Sequence, residues 1–85
     1  MDVKTFEAQY ELIEFNHYIG YDEEKGETVG VVDIVVKCDN IDFIKKEFDS
    51  TFIVESEGLS YIFSNYSLSE YYELGGGLIQ VICTK

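Results

Sequence analysis

From Thr28 to Lys37 the chain carries Val29, Val31, Val32, Ile34, Val35 and Val36, an almost unbroken β-branched run. Branching at Cβ restricts χ1 in a helix and packs well on a pleated sheet, so this segment reads as a strand. Apolar residues fall on both parities, which predicts a central strand covered on both faces. A sheet therefore has to lie at the middle of the fold.

The flanking segments read in the same terms. Phe6, Ala8, Tyr10 and Leu12 alternate with Glu7, Gln9 and Glu11, the period of a half-buried strand. Beyond Leu12 the phase slips by one, because Ile13, Phe15 and Ile19 continue on the opposite parity. A β-bulge near Leu12-Ile13 restores one apolar face; burial on both sides beyond that point is the alternative. Gly20 to Glu27 is polar and holds two glycines, so it reads as the hairpin loop into the Val/Ile strand.

Asp39 or Asn40 can cap a helix from about Ile41 to Phe48, with Ile41, Ile44 and Phe48 at helical spacing. A second hairpin follows, Thr51 to Glu55 and Leu59 to Tyr66, turning at Ser56-Glu57-Gly58. Ser67-Leu68-Ser69-Glu70 has the S-x-x-E spacing of a capping box and predicts a second helix through Leu74, ended by Gly75-Gly76-Gly77. Leu78 to Thr84 is a last apolar strand. The expected order is β-β-α-β-β-α-β. It describes an α+β fold with a mixed or antiparallel single-layer sheet of about five strands and two short helices on one face, one domain over residues 1–85.

Charge bounds the function. Seventeen Asp and Glu against six Lys and Arg give a formal net charge of -11 on 85 residues. Such a field repels nucleic acid and anionic membrane, and attracts basic partners or cations. The 46% hydrophobic content is too high for a disordered acidic tail. No apolar run approaches the roughly 20 residues needed to span a bilayer. Met1-Asp2-Val3-Lys4-Thr5 lacks the apolar stretch of a signal peptide, and Cys38 and Cys83 make no disulfide framework. The expected location is cytoplasmic, with both thiols free.

Few residues suggest catalysis, and the chain is expected not to be an enzyme. His17 is the one histidine, in a strand context; a nucleophilic cysteine or a zinc site would need Cys38 or Cys83 beside it, and no paired spacing asks for this. Asp22, Glu24 and Gly26 vaguely suggest a calcium loop, but no twelve-residue frame closes on a bidentate Glu. The triple glycine follows the expected helix instead of preceding one, which is the wrong polarity for a phosphate loop. No metal or cofactor is expected.

What remains is binding. Acids on one face of a strand repeat about every 6.8 Å. A ruled line of negative charge can occupy a groove built for a phosphate backbone. Glu7 and Glu11 on the first strand, with Asp22, Glu23, Glu24 and Glu27 in the loop, are the candidate contacts. Tyr71 and Tyr72 beside Glu70 and Glu73 are the candidate aromatic contact surface. The expectation is a small acidic protein-binding module, an inhibitor that mimics nucleic acid and occupies the basic surface of a nucleic-acid-binding protein. Small acidic mimics and anti-defence proteins of phage and mobile elements share this size and charge, though no motif here matches a family. The alternative is a structural module that forms a homo-oligomer through a sheet edge or the tyrosine surface.

Overall fold

The Val/Ile run lies in the middle of a seven-stranded sheet in the computed structural model, which describes all residues from Met1 to Lys85. The strands are β1 (Asp2–Lys4), β2 (Gln9–Asp22), β3 (Glu27–Lys37), β4 (Phe52–Ser56), β5 (Leu59–Phe63), β6 (Ser67–Gly75) and β7 (Leu78–Thr84). One helix, α1 (Ile41–Glu47), joins β3 to β4. The order across the sheet is β5-β4-β1-β2-β3-β7-β6, with every neighbouring pair antiparallel.

The fold is mostly β, which corrects the expected α+β sheet of five strands with two helices. Ser67 to Leu74 forms β6, not a helix, and Gly75-Gly76-Gly77 is the hairpin turn into β7, with all three φ positive. The capping-box spacing is a local signal worth little against a ladder. β6 gives β7 its second partner, and Tyr71 and Tyr72 favour a pleated surface. β1 is a further strand that the pattern does not signal, since three residues are too short to show a period. The alternation assigned to Phe6–Leu12 starts only at Gln9; Phe6 stands in the β1–β2 loop with its ring in solvent.

Other expectations match. The register of β2 against β3 slips between Leu12 and Glu14, leaving Ile13 as the bulge. This moves Phe15, His17, Ile19 and Tyr21 onto the face of Tyr10 and Leu12. Asn40 caps α1 by accepting from the Asp42 N–H at 3.0 Å. Glu57 and Gly58 both have positive φ, as a two-residue type I′ hairpin requires. β3 is central, between β2 and β7. Its even residues Val32, Ile34 and Val36 join the core on the side where α1 packs. Val31 and Val35 on the other side are only 8% and 7% exposed, shielded by neighbouring strand side chains with no helix above them.

The sheet is coiled. Because β1 pairs with only the first residues of β2 (Gln9 to Glu11), the β4–β5 hairpin is free to swing across the inner face of β2. Tyr61 of β5 stands 5.1 Å from the Phe15 ring and 5.3 Å from His17, although two strands, β4 and β1, separate β5 from β2 in the sheet order. Phe48, Phe52, Phe63 and Tyr66 fill the fold of this coil as tilted and edge-on pairs.

Candidate binding surface

The two longest strands make an arm. β7 pairs with β3 only from Val31 to Lys37, and Lys85 closes on Gly30 through two backbone bonds of 3.2 and 3.0 Å. Beyond that point Gly20–Asp22 and Glu27–Val29 pair with each other alone. At the tip, the Asp22 carboxylate accepts the backbone N–H groups of Glu24 and Lys25 at 3.0 and 3.3 Å, and its carbonyl accepts that of Gly26 at 2.8 Å. Asp22 thus shapes the loop, an Asx turn, while Glu23, Glu24 and Glu27 project into solvent against the single charge of Lys25. Gly26 reaches φ 67°, where a side chain would be strained.

The arm is not only acidic. Ile19 and Tyr21 lie on its inner face and are 74% and 64% exposed, and Tyr18 is exposed on its outer face. Ile19 continues the parity of Phe15 and His17, the two residues covered by Tyr61 and Phe63. A cavity of about 340 Å³ opens at the base of the arm between His17, Ile19, Gly30 and Tyr66.

The other residues expected to bind a partner do not join this surface. Glu7 lies in the β1–β2 loop, near the start of β2, where the Lys46 ammonium sits 3.5 Å from it. Glu11 stands between Asp2 and Lys37 on the outer face. Tyr71 and Tyr72, though both exposed, face opposite ways: Tyr71 pairs across from core Val81 and carries the Lys45 ammonium 5.4 Å from its ring, whereas Tyr72 is opposite Gln80 and donates to Glu70 at 2.7 Å. That hydrogen bond raises the Tyr72 pKa. They are two separate contacts at one sheet edge, because successive strand residues alternate faces.

A second polar cluster was missed. Glu47, the last residue of α1, accepts the Tyr10 hydroxyl and the Thr5 hydroxyl, the latter at 2.7 Å. Residues thirty-seven and forty-two positions apart meet here, which no local pattern signals. The cysteines stay apart: Cys83 is buried with its thiol toward the Phe48 carbonyl, and Cys38 turns to the Asn40 carbonyl. His17 stacks on Phe15 at 5.2 Å among aromatic rings, with no carboxylate or thiol partner. No group of three or more His, Cys, Asp or Glu has metal-binding geometry, and no helix is long and apolar enough to cross a membrane.

Compared with known proteins, the chain matches no family model, no curated protein and no solved structure.

Proposed function

We propose that this protein is a small acidic protein-binding module whose β2–β3 arm engages the basic surface of a partner, in the manner of an inhibitor that mimics nucleic acid. The observation that carries the reading is the arm itself. Glu23, Glu24 and Glu27 stand at the end of a two-stranded projection, flanked by exposed Tyr18, Ile19 and Tyr21. Acids set the encounter rate and the choice of a basic partner, while buried aromatic and aliphatic area supplies the hold. An intracellular setting, where thiols stay reduced, suits a chain with two unpaired cysteines.

The test is capture of bacterial lysate proteins on immobilised protein at low and moderate salt, beside a Glu23→Gln/Glu24→Gln/Glu27→Gln variant. Asp22 is left intact because it holds the loop. A basic nucleic-acid-binding protein should be retained by the parent, released by salt, displaced by duplex DNA and lost from the variant. Retention that ignores both salt and the three neutralisations would reject the arm as the binding element.

A further inference from the structure

The two edges of the sheet differ. β6 is interrupted by register slips at Leu68/Glu70 and Glu73/Gly75 and bears two acids, both devices that discourage strand pairing. β5 has neither. From Gly58 to Ser69 the chain holds no charged residue, and β5 pairs with β4 in an uninterrupted register from Ser56↔Leu59 to Phe52↔Phe63. Because Ser56 and Leu59 flank a two-residue turn, they form the first hydrogen-bonded pair, and alternation follows from there. Leu59, Tyr61 and Phe63 therefore bond inward to β4. Ser60 and Ile62 point their N–H and C=O groups outward, and neither is tied to any segment outside the strand ladder. Ile62 is 68% exposed.

This open edge has a floor. Along the inner face of β2, Phe15 and His17 lie beneath Tyr61 and Phe63, and the next residues of that parity, Ile19 and Tyr21, have no strand above them. A strand added to β5 would occupy that space. Its alternate side chains would point down onto Ile19, Tyr21 and the cavity beside Tyr66. Past this floor stand Glu23, Glu24 and Glu27.

We infer that the free edge of β5 and the inner face of the arm form one groove, which takes an extended basic segment of a partner by β-strand addition. Backbone groups of Ser60 and Ile62 supply the ladder, apolar residues of the segment cover Ile19 and Tyr21, and its Lys or Arg side chains meet the arm-tip acids. Charge selects this occupant over a second copy, which would bring another chain of net charge -11 against the same tip. The inference rests on the reading of the arm as the partner-binding element and adds the binding mode.

The test is fluorescence polarisation with a short peptide alternating valine and lysine, against the same peptide with glutamate for lysine. Ile62→Pro removes one outward N–H without costing a β4–β5 bond, as edge prolines do, and Ile62→Ala controls for the side chain. The lysine peptide should bind, with Ile62→Pro weakening it roughly tenfold beyond Ile62→Ala. N-methylation of every second amide should abolish binding in one register and spare it in the other. Three results would overturn the groove: no binding of the lysine peptide, binding indifferent to Ile62→Pro, or equal binding of the glutamate peptide. Indifference to Ile62→Pro with loss in the Glu23→Gln/Glu24→Gln/Glu27→Gln variant would leave the arm reading intact and remove only strand addition. A dimer in light scattering that Ile62→Pro dissolves would assign the edge to self-pairing instead.

Discussion

The Tyr10 hydroxyl donates to the Glu47 carboxylate, tying the end of a seven-residue helix to the longest strand of the sheet. A helix this short has no stability of its own, so it persists through what it touches. Ile44 and Phe48 bury its apolar face, and the Tyr10–Glu47–Thr5 cluster fixes its last turn. Tyr10 thus serves twice, as a core ring against Phe48 at 5.7 Å and as a donor at the core's margin.

Replacing Tyr10 by Phe keeps the ring and removes the donor. We expect Tyr10→Phe to cost about 1–2 kcal/mol, as for loss of a hydrogen bond to a charged, half-buried acceptor. Urea unfolding reads this as a lower midpoint at unchanged slope. A midpoint equal to the parent's would show that the cluster contributes nothing to stability.

Alkaline pH should unfold the protein in a defined window. Burial, reinforced by the Asp49 charge, pushes the Cys83 thiol from its ordinary 9.0 up to about 12. Burial and the Glu47 hydrogen bond raise Tyr10 well above its ordinary 10.0. Both groups are neutral in the folded state, so the Cys83 contribution is complete below about 9 and is lost as pH climbs toward 12, while that of Tyr10 is complete below its ordinary 10.0 and is lost above it. Above a group's ordinary value, each pH unit costs up to about 1.4 kcal/mol for that group. Urea midpoints between pH 8 and 11 should be level to about 9 and then fall, and Cys83→Val should delay the fall. A profile flat to pH 11 would contradict the burial of both.

Gly30, at the arm's base, lies against the Tyr66 hydroxyl. A Cβ built there would lie 2.8 Å from the Tyr66 hydroxyl oxygen and 3.6 Å from the next ring atom. Tyr66 is held against Phe52 and Phe63, with the Lys85 ammonium 5.8 Å from its ring. Gly30→Ala should therefore destabilise by about 1–3 kcal/mol, the usual cost of overpacking. The double variant Gly30→Ala/Tyr66→Phe should recover most of it, because deleting the hydroxyl deletes the clash. Thermal melts of the four proteins complete the cycle, and additive losses would disprove the contact.

Self-repulsion should be visible in salt. At a net charge of -11 with two ion pairs, Lys4–Glu55 at 3.0 Å and Lys46–Glu7 at 3.5 Å, attraction offsets little of it. Raising sodium chloride from about 0.01 M to about 1 M shortens the screening length from about 30 Å to about 3 Å. The thermal midpoint should rise across that range. A fall would mean that the acids are balanced locally and that the ion pairs dominate.

Where the residues themselves carried a strong period, their structure was legible. The β-branched run of β3, the phase slip at Ile13, the Asn40 cap and the Glu57-Gly58 turn are each specified within a few residues, by rotamer restriction, pleat parity, a short acceptor side chain and positive φ. The acids of the arm tip could be named for the same reason, since they share one loop. Ser67–Leu74 is not legible locally, because its capping box favours a helix by an amount smaller than what a neighbouring strand offers.

Tertiary structure alone decided the rest. Seven strands coil because β1 is too short to hold β4 alongside β2, and that coil puts Tyr61 over Phe15, leaves Ile19 and Tyr21 uncovered and opens the edge at Ser60 and Ile62. It also separates Glu7, Glu11, Tyr71 and Tyr72 from the arm. The sequence determines the strands that carry their own period, β2 to β5 and β7, because side-chain branching and alternation are local, whereas β1 and β6 are strands through the neighbours they pair with. Which strand lies beside which depends on contacts between residues far apart in the chain, and those are determined only when the whole sheet closes on its core.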